Sequence, residues 1–169
     1  MLDHACSERA RIQLEAPDIT LHIRWGDKWK EMHLVEMQHY IDKVKDIVMK
    51  FSYPPDVKIF IMTEDQRALD EFRALADPRW KVQVYEPAVF PLSTNWREDS
   101  PRTVGATGHD VATSSLVAMF MCLEATHYIG ASGSNWARLM NELCQSRNMY
   151  SATCKGCTYF HDLHTAYEW

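Results

Sequence analysis

A chain of 169 residues is long enough for one domain with a sizeable core, and its 46% hydrophobic and 24% charged residues exclude a disordered or low-complexity protein. The formal charge of −5 disfavours non-specific nucleic-acid binding, which depends on Lys and Arg side chains that neutralise phosphates. No nucleic-acid partner is therefore predicted. No apolar run approaches the roughly 20 residues of a membrane span, so no membrane span is predicted either.

Strand and helix patterns alternate along the first half of the chain. Residues 19–24 alternate apolar with polar side chains, which is typical of a strand, and the apolar spacing over 34–50 predicts an amphipathic helix. Residues 57–62 form a near-continuous apolar strand, as expected when helices cover both faces of a sheet. A helix through Leu75 follows, and residues 82–85 predict a third short strand.

The second half continues the alternation after a long irregular stretch. Residues 86–109 have no period and contain Pro and Gly, which predicts a loop. Asp110 is expected to cap the next helix, residues 127–129 predict a fourth strand, and a further helix runs through Leu143. Four β–α units in sequence predict an α/β fold, with a Rossmann-like, mostly parallel sheet and helices on both faces.

The sequence predicts a single domain over residues 1–169, because no linker or internal repeat indicates a second one. The core is expected at about 17–148, with 149–169 as a C-terminal extension. The first 17 residues are charged and lack the apolar core of a signal peptide.

The first predicted strand ends in a cluster of charged side chains. His22 and Arg24 share one face because strand side chains alternate, and Asp27 and Lys28 follow after a glycine. A guanidinium fork with an ammonium nearby suits a diphosphate. The alternative is that His22 is a core histidine and that Asp27 and Lys28 are solvated turn residues.

Two other strands end in polar side chains, where parallel sheets bind their ligands. The second strand ends with Thr63, Glu64 and Asp65. The fourth leads through a small-residue turn into a helix, where free backbone N–H groups can hold an anion; the turn contains Ser132, Gly133, Ser134 and Asn135. Ser134 and Asn135 are also ordinary helix caps, and that alternative stays open.

Several common catalytic motifs are missing from the sequence. It contains no Asp-x-Asp pair, so the charge of a diphosphate would be met by Arg, Lys and backbone dipoles without a metal or other cofactor. It contains neither the Walker-type nor the Gly-x-Gly-x-x-Gly glycine pattern, and no Gly-x-Ser-x-Gly elbow. These absences weigh against a P-loop NTPase, a dinucleotide dehydrogenase and a serine hydrolase.

The three strand-end stretches together resemble the fucosyltransferase superfamily, specifically its α1,6-fucosyltransferase and O-fucosyltransferase-like branches. Residues 22–28 (HIRWGDK) are similar to the first family motif, and residues 60–66 (FIMTEDQ) to the second. Residues 128–138 (YIGASGSNWAR) are similar to the third motif, and the three occur in the family order. The resemblance implies the C-terminal, GDP-sugar-binding domain of a metal-independent, inverting glycosyltransferase of the GT-B type.

The resemblance also implies roles for single residues. It assigns catalysis to Arg24, which stabilises the leaving diphosphate, to Lys28 and to Glu31, the base for the acceptor hydroxyl. It assigns binding of a GDP-fucose-like donor to a wider set: His22, Arg24, Thr63, Asp65, Ser132, Ser134 and Asn135. The implied partner is a glycan or glycoprotein acceptor. The family's N-terminal acceptor domain is expected to be absent here. The resemblance implies a lumenal Golgi or ER location if the protein is eukaryotic, and the sequence itself gives no location.

The sequence departs from the family pattern at three places. Trp25 replaces the second Arg of the first motif, and the spacing from Lys28 to Glu31 is one residue shorter than in the α1,6 enzymes. Ala118 lies in the helix where the family often carries an acid for guanine. The alternative is therefore a non-catalytic, degenerate α/β module for nucleotide binding or protein interaction.

The cysteines leave several possibilities open. Cys122 and Cys144 lie in apolar helical patterns and are expected to be buried free thiols. A Cys-x-x-Cys pair near two histidines offers a structural zinc site as a minor alternative, with a disulfide or free thiols as the others; these residues are Cys154, Cys157, His161 and His164.

Overall fold

The structure, a computed structural model, describes residues 14–25, 33–85, 107–145 and 157–163. Within these ranges the chain alternates strands and helices from beginning to end. The elements are β1 (Ile19–Ile23), α1 (Met37–Lys50), β2 (Lys58–Thr63), α2 (Gln66–Leu75), β3 (Lys81–Val84), α3 (Gly108–Cys122), β4 (His127–Gly130), α4 (Asn135–Gln145) and β5 (Tyr159–Asp162).

The described strands form one five-stranded sheet in the order β3-β2-β1-β4-β5, and each pairing in it is parallel. The chain moves outward from β1 to β3, crosses back over the sheet, and continues outward on the other side through β4 and β5. This change of direction creates a topological switch point between β1 and β4. The predicted α/β class with a Rossmann-like parallel sheet is confirmed.

Helices cover both faces of the sheet, as the apolar strand pattern predicts. One core cluster joins α1 and α2 to alternate strand residues that include Leu21, Ile61 and Ile129. A second cluster joins α3 and α4 to the opposite face, which carries Phe60 and Tyr128. Because parallel crossovers are right-handed, the change of direction after β3 moves the later helices to the other face.

Helix α3 begins earlier than the sequence analysis predicts. Thr107 is its N-cap, and the Thr107 hydroxyl accepts a hydrogen bond of 3.2 Å from the backbone N–H of Asp110. The Asp110 carboxylate in turn accepts the backbone N–H of Thr107 at 3.1 Å, which completes a capping box. The prediction that Asp110 is the cap is therefore wrong. Of the predicted loop, residues 86–106 lie outside the described ranges.

The segment predicted as a C-terminal extension supplies an edge strand of the sheet. β5 pairs with β4 from His127–Tyr159 to Gly130–Asp162. Cys157, two residues before β5, donates its backbone N–H to the carbonyl of Leu123 and forms a disulfide with Cys144 of α4. The core therefore extends beyond residue 148.

The disulfide corrects one cysteine prediction. The Cα atoms of Cys144 and Cys157 are 5.0 Å apart, within ordinary disulfide range, because the end of α4 packs beside the start of β5. The prediction of a free thiol at Cys144 is wrong, whereas the prediction of a buried free thiol at Cys122 is confirmed.

No helix in the described ranges combines the length and the hydropathy that crossing a bilayer requires.

Candidate functional site

The carboxyl ends of the parallel strands bring the predicted stretches to one edge of the sheet. β1 pairs with β2 as far as Ile23–Thr63, but its described pairing with β4 ends at Leu21–Ile129. The last residues of β1 therefore lie beside β2 while the ladder to β4 has already stopped. The switch point between β1 and β4 lies at this edge, which is the position where α/β sheets bind their ligands.

Arg24 lies at this edge, directly after β1, and its guanidinium forms an ion pair. Its Nη1 is 2.8 Å from Oε2 of Glu64, which directly follows β2. The two side chains are 24% and 38% exposed, so the pair is partly shielded from water. Sequence reasoning noted Glu64 at its strand end but missed this pairing, which depends on the register of β1 against β2.

His22 lies one residue before the end of β1 and is buried. Its neighbours in register and on the same strand face, Met62 and Thr20, place it on the side covered by α3 and α4. Its Nδ1 is buried without a hydrogen-bond partner among the described residues. Burial, followed by the positive charge of Arg24, lowers the pKa of His22 to about 4. At neutral pH the imidazole is therefore uncharged and can offer one N–H donor.

The residues at the end of β2 form the N-terminal cap of α2. The Asp65 carboxylate accepts the backbone N–H of Arg67 at 2.9 Å and lies 2.6 Å from the Arg67 guanidinium. The buried Thr63 hydroxyl accepts the backbone N–H of Asp65 at 3.2 Å. These contacts give Thr63 and Asp65 a structural role. Their contact with a nucleotide-sugar donor stays a prediction.

The turn between β4 and α4 occupies the other side of the switch point. Ser134 is buried, and its backbone N–H donates to the carbonyl of Ala131 at 2.9 Å. The Ser132 N–H donates to the carboxylate of Asp162 at the end of β5, also at 2.9 Å. Asn135 is exposed and its side-chain oxygen accepts from Arg138. The bonds to β5 and within the turn fix this turn beside β1.

A cavity opens next to the Arg24–Glu64 ion pair, between the end of β2 and α3. Its lining includes Phe60, Met62, Glu64, Tyr85, Ser114, Ser115 and Ala118. The lining thus combines apolar and aromatic side chains with two serines and one carboxylate. Sequence analysis singled out Ala118 in this lining, but Tyr85, Ser114 and Ser115 gave no signal because they come from separate elements.

Two predicted catalytic residues, Lys28 and Glu31, lie outside the described residues. Trp25 belongs to the described part: its indole Nε1 donates to the carbonyl of Val35 at 3.0 Å, and its ring packs against the core on the α1 face. This packing accounts for Trp25 without a ligand.

The minor zinc prediction fails at Cys157. Zinc binds a thiolate, whereas the Cys157 sulfur is bonded to Cys144. His161 is instead paired with His127, their ring nitrogens lying 3.1 Å apart. No group of three or more metal-ligating side chains occurs among the described residues, and Cys154 and His164 lie outside them.

The strand order and the switch point at the carboxyl edge of the sheet define the protein as an α/β domain with a Rossmann-like parallel sheet. Its switch point carries a part-buried guanidinium, a neutral histidine and a helix-leading turn. The chain matches no model of a known protein family and no curated protein.

Proposed function

We propose that this domain binds a nucleoside diphosphate sugar at the switch point between β1 and β4, as the donor-binding domain of a fucosyltransferase-like glycosyltransferase of the GT-B type. One observation carries the proposal. The first and third motif stretches, which are more than 100 residues apart in sequence, end neighbouring strands on the two sides of the switch point. Ligands of α/β sheets bind at such a position.

The charged groups of the site suit a diphosphate. Arg24 offers a planar fork of N–H donors that matches phosphate oxygens, and it lies at the carboxyl edge with a quarter of its side chain exposed. His22 lies behind it as a neutral imidazole whose Nδ1 has no partner among the described residues. A ligand oxygen would give that buried nitrogen the partner that buried polar atoms normally have.

The surroundings of the charged groups suit the rest of a nucleotide sugar. The cavity beside Arg24 has a volume of about 40 Å³, so it would accept only part of a ligand, and its lining offers the Tyr85 ring and the hydroxyls of Ser114 and Ser115 to the edge of a base or a sugar ring. On the other side of β1, the turn before α4 presents backbone N–H groups at a helix N-terminus, which favours a negative charge.

The chemistry of transfer follows from the family resemblance. A departing GDP gains negative charge, which Arg24 would stabilise, and an acceptor hydroxyl must lose its proton as it attacks the anomeric carbon. The resemblance implies that Glu31 accepts this proton as a general base and that Lys28 contacts the transferred sugar. The acceptor would be a hydroxyl of a glycan or a glycoprotein, held by an acceptor domain.

Calorimetric titration of the folded chain with GDP and GDP-fucose tests the proposal. Both ligands should bind, and Arg24→Ala should weaken binding about 10- to 100-fold, because charge-assisted hydrogen bonds contribute roughly 1.5–3 kcal/mol. Arg79→Ala is the matched control, since Arg79 is also paired with a carboxylate, that of Asp77, but precedes β3 at the opposite edge of the sheet. A folded wild-type protein that binds neither ligand at millimolar concentration would refute the proposal.

A further inference from the structure

The Arg24–Glu64 ion pair is built into the sheet. Ile23 and Thr63 are the last paired residues of β1 and β2, so the next residue of each strand lies beside the other at the carboxyl edge. The 2.8 Å contact joins these two residues. Strand register therefore keeps Arg24 and Glu64 adjacent whenever the sheet forms.

Glu64 has no part in capping α2. The cap is Asp65, whose carboxylate accepts the Arg67 N–H. Glu64 instead lines the cavity with Tyr85 and Ser114 and directs a carboxylate at the guanidinium of Arg24. A carboxylate at that position repels a phosphate and occupies one guanidinium nitrogen, Nη1, for which a phosphate would compete.

We propose that Glu64 is an internal counter-ion that holds Arg24 in the unliganded protein and is exchanged for the diphosphate when the nucleotide binds. This inference rests on the proposed function and adds a residue that sets the affinity and selectivity of the same site. Glu64 keeps Arg24 extended toward the edge before a ligand arrives, and it admits ligands whose charge exceeds that of a single carboxylate. A diphosphate satisfies that condition, whereas an uncharged nucleoside gains nothing from the exchange.

The test is a titration of the full chain with GDP and with guanosine. Glu64→Gln removes the competing charge with little change in shape and should strengthen GDP binding about three- to tenfold, while guanosine binding stays unchanged. Glu71→Gln is the matched control: it removes the same charge from an exposed position on α2 and should leave GDP binding as in the wild type. Glu64→Ala, checked for folding by thermal melting, serves as a second variant with the same expected direction.

A double-mutant cycle links the effect to Arg24. In the Arg24→Ala background, Glu64→Gln should no longer strengthen GDP binding, because the competition passes through that guanidinium. Equal or weaker GDP binding by Glu64→Gln, with a wild type that binds GDP, overturns this inference and leaves the proposed function standing. A gain that persists without Arg24 also overturns it. Failure of the wild type to bind GDP overturns both.

Discussion

Asp65 and Asp77 make the same local arrangement at two places in the chain. Each carboxylate accepts the backbone N–H of an arginine two residues later and forms an ion pair of 2.6 Å with its guanidinium. The surroundings differ, because the Asp65 side chain is 1% exposed and caps the ten-residue α2, whereas the Asp77 side chain is 26% exposed and lies in a turn.

Asp65→Ala is expected to lower the free energy of unfolding by about 2 kcal/mol, since it removes the N-cap of α2. Urea denaturation measures this loss. Asp77→Ala is the matched control and should cost less, because water replaces its partner. Equal losses in the two variants would contradict a capping role for Asp65.

At the scale of elements, β4 and α4 pack closely around Gly130. A Cβ atom built there would lie 3.0 Å from the Tyr128 ring and 3.3 Å from the Ala137 side chain. Tyr128 is fully buried and Ala137 belongs to α4, so neither neighbour is free to move away. The absence of a side chain at Gly130 therefore allows the strand to turn into α4 beside the candidate site.

Gly130→Ala is expected to destabilise the fold by about 1–3 kcal/mol through overpacking. Thermal melting followed by circular dichroism measures it. Gly108→Ala is the control, because no described atom outside its own helix turn lies within 4 Å of the place a Cβ would take there, and alanine favours the first turn of α3. A Gly130→Ala variant as stable as Gly108→Ala would contradict the close packing.

Strands and helices with a clear apolar pattern could be predicted from the sequence, whereas β5 could not. The first four strands carry apolar runs, such as 57–62, or short apolar and alternating patterns that identify them without knowledge of their neighbours. β5 reads Tyr-Phe-His-Asp, which has no such run, and its place depends on pairing with β4 and on the disulfide from Cys157.

The sequence was enough to predict which edge of the sheet carries the candidate site, but not which side chains contact one another there. Parallel strands end at one edge, so His22, Thr63 and Ser134 could be assigned to it from the sequence. The strand order that separates β1 from β4 at the switch point cannot be derived from four β–α units. The pairing of Arg24 with Glu64 depends in turn on that order and its register.

For the whole molecule, two buried histidines contribute to the dependence of stability on pH. Burial is the main cause that lowers the pKa of His22 and of His127 to about 4, with added contributions from Arg24 and His161 respectively. Both imidazoles are therefore neutral in the folded protein at pH 5, whereas the unfolded chain takes up both protons as the pH falls below about 6.5. Stability from these groups is fully present above about pH 6.5 and is lost as the pH falls toward 4.

The free energy of unfolding should thus be flat between about pH 7 and 8 and fall between about pH 6.5 and 4, by at most about 3 kcal/mol for each histidine. Urea denaturation at a series of pH values measures the slope. His22→Asn and His127→Asn should each reduce it, and His39→Asn, at an exposed position, should leave it unchanged. Stability that stays constant from about pH 7 to 4.5 would contradict the burial of neutral histidines.

The crosslink between Cys144 and Cys157 has a practical consequence for anyone who produces this protein. It joins residues 13 positions apart and ties the outermost strand to α4. A bacterial cytosol keeps thiols reduced, whereas an exporting host oxidises them. Protein from a bacterial cytosol would hold β5 without the covalent link, through its ladder with β4 and through hydrogen bonds such as those to Leu123, Gly130 and Ser132. The choice of expression host therefore decides whether the edge strand β5 is covalently linked to α4 in the purified protein.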